Sequence, residues 1–135
     1  MIVFGRVVQT WRYLWVAQGD ERHAERTGEI LRDLGADPEL VLAGLLHDRA
    51  KPPQTRLWHR IAAVLLETFA PRVRARLARG DGVFARYLDH ARRGAEMARS
   101  EGRSERVVRL VARHHERPAD ADAALLARAD REAMP

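Results

Sequence analysis

A chain of 135 residues with 46% apolar and 32% charged residues has the size of one domain with one hydrophobic core and is too apolar to be a disordered segment. The absence of cysteine excludes disulfides, thiolate metal sites and a cysteine nucleophile, so any metal must be held by nitrogen and oxygen. The formal charge of +5 invites a nucleic-acid partner, but only Lys51 among the 24 basic residues is a lysine, no asparagine occurs, and the arginines alternate with acids; this reads as the compositional habit of a GC-rich or heat-adapted source and argues against nucleic acid.

Phe4, Val7, Val8, Trp11, Leu14 and Trp15 follow the i, i+3, i+4, i+7 stripe of an amphipathic helix over residues 3–17. Arg6 and Arg12 interrupt this apolar stretch, no small-residue cleavage site follows it, and no run approaches the ~18 apolar residues of a membrane span. A cytoplasmic protein without membrane contact is expected. Asp20 can cap a second helix that stops at Gly35. Asp37-Pro38 starts a third, expected to reach His47-Asp48 before Pro52-Pro53 ends it.

A fourth helix is expected from about Thr55 to Phe69, with Pro71 breaking it or opening a short continuation, and Gly80-Asp81-Gly82 forms a turn. A fifth should run from Val83 to Ser100 and close at Gly102. Ser104 caps a sixth, expected to carry Val107, Val108, Leu110 and Val111 into His114-His115. A last helix from about Asp122 bears Leu125, Leu126 and Asp130. No alternating strand pattern, repeat or second domain is seen. The expectation is a single all-α domain of about seven helices, with a motif-bearing core over 20–133 and the N-terminal helix packed on it.

Six histidines occur, and His23, His47-Asp48, His90, His114-His115 and Asp130 supply seven candidate metal ligands from four helical stretches. Histidine with carboxylate suits a first-row transition metal, and seven ligands exceed the need of one ion. Adjacent residues on a helix point about 100° apart, so His47 and Asp48 cannot both face one ion from mid-helix. Either the helix ends there, or Asp48 bridges two ions while His47 holds one; the same choice applies to His114 and His115. A paired site explains two adjacent doublets better than a single ion. His59 fits no spacing and reads as an ordinary core or surface residue.

These residues resemble the HD superfamily of metal-dependent phosphohydrolases, with its H…HD…D pattern. Gly44-Leu45-Leu46-His47-Asp48-Arg49-Ala50-Lys51 looks like the central GLLHDxxK motif. His90-Ala91-Arg92-Arg93-Gly94-Ala95-Glu96 is similar to the HxxxGAE segment, Val111 to Glu116 to the IxxHHE segment, and Leu126 to Asp130 to the closing LxxAD. The resemblance implies a helical HD-type domain in which His23, His47, Asp48 and Asp130 hold a first metal. It gives His90, His114 and His115 to a second, with Asp48 bridging.

Cyclic-dinucleotide phosphodiesterases of the HD-GYP type share the HHE segment, but Arg117-Pro118-Ala119-Asp120 stands here in place of the GYP signature. Symmetrical dinucleoside-tetraphosphate hydrolases carry a similar HDxAK, and small bacterial HD proteins share the Leu57-Trp58-His59-Arg60 segment as well. The expected activity is hydrolysis of a nucleotide or other small phosphate ester by metal-activated water, with Asp48 and Lys51 catalytic and Lys51 and Arg49 gripping phosphate. Glu116 is a candidate to orient a ligand. The expected cofactor is one or two divalent ions among Mn, Fe, Ni, Co and Zn, with Mg the weaker fit. A nucleotide- or nucleic-acid-binding sensor of low turnover is the alternative, because Arg49-Ala50 replaces the family's more usual Ile-Gly, and a metal-free helical interaction domain is a third reading. Neither substrate identity nor oligomeric state is legible in the residues.

Overall fold

In the computed structural model, residues 20–134 are described, and they form eight helices with no strand among them. The helices are α1 (Asp20–Asp33), α2 (Pro38–Leu46), α3 (Leu57–Phe69), α4 (Pro71–Leu77), α5 (Val83–Leu88), α6 (His90–Ser100), α7 (Glu105–Ala112) and α8 (Ala121–Glu132). The amphipathic segment 3–17 lies outside the described residues. None of the described helices is long and apolar enough to cross a membrane.

The start and stop signals act through local hydrogen bonds. Asp37 caps α2 by accepting from the Leu40 N–H at 3.1 Å, Ser104 caps α7 through Val107 at 3.3 Å, and Asp120 caps α8 through Ala123 at 2.8 Å; each satisfies a donor that the first helical turn leaves open. The chain leaves α1 through Gly35 at φ +80 and α6 through Gly102 at φ +76, a left-handed conformation that costs glycine little.

Four expected boundaries are corrected. The third helix stops at Leu46 and does not carry His47-Asp48, and the sixth stops at Ala112, short of His114-His115. The fourth begins two residues later than about Thr55, at Leu57, and of the two readings of Pro71 the structure takes the second, a short helix from Pro71 to Leu77. The single helix expected over 83–100 is two, parted at Asp89 (φ −106, ψ 12). There the Asp89 carboxylate turns to Arg92 and Arg93, and the break lets His90 re-aim.

The core lies between α1, α2, α6, α7 and α8. Leu31, Leu40, Val107, Val111 and Leu126 are almost wholly enclosed, each burial worth roughly 1.5–3 kcal/mol before chain entropy is set against it. α1 and α2 approach closely at Gly44, where a Cβ would stand 2.5 Å from Leu31 Cδ1. Arg106 of α7 clamps the neighbouring helix starts: its guanidinium meets both Asp37 oxygens at 2.7 Å and Asp122 at 3.0 Å. That fork holds the Asp37 carboxyl down at about 2, helped by the Leu40 N–H. A second, smaller core of Ala63, Tyr87 and Leu88 joins α3 to α5.

Candidate metal centre

Three helices end on the same spot by the same device. The last turn of a helix leaves carbonyls without intrahelical donors. His47 Nδ1 meets the Gly44 carbonyl at the end of α2 (2.5 Å), His90 Nδ1 the Tyr87 carbonyl at the end of α5 (2.6 Å), and His114 Nδ1 the Val111 carbonyl at the end of α7 (2.7 Å). A carbonyl only accepts, so each Nδ1 carries the proton and donates. With Nδ1 so engaged, Nε2 is the atom each ring is left to offer, and it binds a metal once it carries no proton. The negative ends of three helix dipoles also lie at this point, which favours positive charge there.

Asp48, just past α2, receives those Nε2 atoms. Its Oδ2 stands 3.3 Å from His47 Nε2 and 4.0 Å from His23 Nε2. Its Oδ1 stands 3.1 Å from His90 Nε2 and 3.4 Å from His114 Nε2. Asp130, from α8, completes one side: its Oδ1 lies 2.7 Å from His23 Nε2 and 3.0 Å from His47 Nε2. His115 completes the other, with its Nε2 2.9 Å from His90 Nε2. The ligand atoms form two groups that could each hold an ion, His23–His47–Asp48–Asp130 and Asp48–His90–His114–His115, each with its atoms within 4.8 Å of one another. All seven residues expected from the sequence are therefore brought together, and Asp48 belongs to both groups.

The donor set fits divalent metal better than protons. Two Nε2 atoms 2.9 Å apart can share at most one proton, and His114 Nε2 is buried with no hydrogen-bond partner. Wherever Nε2 lacks a proton, nitrogen and carboxylate oxygen meet as two acceptors, an arrangement that a cation between them relieves. The local field favours positive charge at this point. Burial would raise the Asp48 carboxyl, but the charges of His47 and Lys51 outweigh it and hold it well below the usual range. Burial likewise opposes charging His47, yet Asp48 and Asp130 hold it well above the ordinary histidine value. Burial would also raise Asp130, and the hydrogen bonds of His23 and His47 overcome this and lower it. His115 goes the other way: its inward edge is desolvated and faces His114 and His90, which together hold it well below the ordinary value.

Lys51 is buried with Nζ 3.2 Å from Asp48 Oδ2, within the cluster. Arg49 is not brought to it: its guanidinium engages the Glu101 carboxylate at the end of α6. Glu116 is exposed beside Arg113. His59 is buried away from both groups, its Nδ1 accepting from the Arg56 N–H at 2.8 Å while its ring stacks on Trp58. Sequence reasoning missed the groups that orient three of the candidate ligands, the carbonyls of Gly44, Tyr87 and Val111. The signal was present as a carbonyl three residues before each of three histidines, but it has meaning only where a helix ends.

A family model described as HD domain matches residues 21–134. Comparison with curated proteins and with solved structures found no match.

Proposed function

Because the chain belongs to the HD-domain family, whose members are generally metal-dependent hydrolases, we propose that it is a phosphohydrolase acting on a nucleotide or another small phosphate ester. The observation that carries this reading is the division of Asp48, with Oδ2 turned to His47 and His23 and Oδ1 to His90 and His114. A carboxylate shared in that way suits two divalent ions. Bound there, such a pair would lower the pKa of a water and neutralise charge on phosphoryl oxygens.

The chain's own residues supply position and field. Gly44, Tyr87 and Val111 keep three imidazoles in the metal-binding tautomer. Asp48 and Asp130 carry the negative charge that offsets two cations. Lys51 fixes an ammonium at Asp48, a point charge suited to a phosphate oxygen. Arg49 is held by the Glu101 carboxylate, so only Lys51 of the two expected phosphate-binding cations stands at Asp48.

A screen of mono-, di- and polyphosphorylated nucleotides with Mn²⁺ tests the proposal. Hydrolysis is expected that Asp48→Ala abolishes. Full activity in that variant would sink the assignment, and metal-dependent nucleotide binding without turnover would transfer the site to the sensor reading.

A further inference from the structure

An open pocket adjoins the second ligand group. It lies along the segment that joins α7 to α8, and His114 is part of its wall. Helix direction explains its place. Arg106 ties the starts of α2, α7 and α8 together, while His47, His114 and Asp130 stand at or near the other ends of those helices. All three therefore run toward the ligand cluster, and residues 113–120 must return from it to begin α8. Ala123, also in the pocket wall, precedes Asp130 by seven residues, roughly 10 Å along α8. The pocket thus leads away from the ligands along the returning segment.

Its walls carry Arg109, Arg113 and Arg117 against Glu116 and Asp120. Two of these arginines are loosely held: Arg109 stands 3.9 Å from Asp120 and Arg113 3.9 Å from Glu116, beyond hydrogen-bond reach. Arg93, Arg106 and Arg128, by contrast, each hold a carboxylate oxygen within 3.1 Å. A guanidinium bonded in that way has little left for an anion, whereas one 3.9 Å from its partner is able to turn to a stronger acceptor. Leu110 and Leu126, both buried, also line the pocket, and apolar walls focus the field of the charges beside them. The same side of the cluster meets solvent, because His115 is exposed while His47 and Asp48 are buried.

We propose that Arg113 and Arg117, with Arg109 behind them, form an anion site adjoining the metal centre: when one phosphate of a substrate lies at the ligand cluster, they take the next phosphate of the same molecule. The substrate class is then one with at least two linked phosphates. This rests on the phosphohydrolase reading for the first phosphate. A guanidinium fork pairs two phosphate oxygens at once. Three guanidiniums against two carboxylates leave the pocket net positive, and Arg113 adjoins the ligand His114 directly in the chain.

Isothermal titration calorimetry on Mn²⁺-loaded protein, with free Mn²⁺ in excess, separates the two sites. The probes are inorganic phosphate, which needs only the ligand cluster, and methylenediphosphonate, which carries two linked phosphorus groups and is not hydrolysed. Arg113→Gln/Arg117→Gln is expected to weaken methylenediphosphonate at least ~10-fold and phosphate less than ~2-fold. Both residues are exposed, so this variant should keep its fold, which unchanged metal content confirms. Arg72→Gln/Arg76→Gln removes the same charge from exposed positions of α4 outside the pocket and should leave both affinities within about 2-fold. Equal weakening of the two probes, no weakening of either, or an equal loss in the α4 variant would overturn the anion site while phosphate binding survives. Failure of the loaded wild type to bind phosphate at all would instead strike the phosphohydrolase reading, and this inference with it.

Discussion

Replacing Asp48 with Asn removes one charge while keeping the shape, at the residue common to both ligand groups. Its effect is best read as the difference in Tm between metal-loaded and chelator-treated protein, because each protein then serves as its own reference. For the wild type, metal at a hundred times Kd stabilises by ~2.7 kcal/mol per site. A chain of this length has an unfolding entropy near ~0.28 kcal/mol/K, so one filled site raises Tm by about 10 °C. Disturbing a partner that only orients a metal ligand costs roughly 10–100-fold in affinity, and loss of a direct, charged and shared ligand should cost at least about 1000-fold. At the same metal concentration, the stabilisation then falls below ~0.1 kcal/mol and the shift below about 1 °C. Differential scanning fluorimetry with Mn²⁺ or Zn²⁺, paired with elemental analysis, measures both shift and stoichiometry. An Asp48→Asn protein that keeps the full shift and the wild-type metal content would refute the shared-ligand geometry.

His115 belongs to one group only, so His115→Ala is expected to lower bound metal from two ions toward one while the other group stays loaded; elemental analysis decides, and loss of both ions would count against two separable groups. Gly44→Ala gains helix propensity of ~1 kcal/mol but places a Cβ 2.5 Å from buried Leu31 Cδ1. Overpacking of ~1–3 kcal/mol should win, and urea denaturation is expected to show a net loss of about 1 kcal/mol. The Asp37 carboxyl, held at about 2 by Arg106, sits below its unfolded value of ~3.9; its contribution to stability is therefore complete above pH ~4 and lost as pH falls toward 2. The urea-midpoint gap between wild type and Arg106→Met should accordingly narrow over that window, and a gap that stays constant from pH 5 to 2 would contradict the pairing.

Local chemistry sufficed for much of this protein. Asp37-Pro38, Ser104, Gly35 and Gly102 act through bonds or conformations spanning a few residues, so the starts of α2 and α7 and the exits from α1 and α6 could be read directly. The seven candidate residues were equally legible, because cysteine is absent and the spaced histidines and aspartates stand out, and the fold gathers them into two groups that could each hold an ion.

Where α2, α5 and α7 end was a different matter. Apolar periodicity runs on unbroken through Asp89, and nothing near Leu46 or Ala112 forbids another turn. Those helices stop where a histidine takes a carbonyl three residues back and aims Nε2 at a carboxylate, which for His47 includes Asp130 from α8, 83 residues away. Arg49 and Lys51 show the same limit, since two neighbouring cations part company only because Glu101 stands near one and Asp48 near the other. Residue type set which groups could bind metal; long-range packing decided which face each other, because a side chain's direction depends on where its helix ends and on the charge that meets it there.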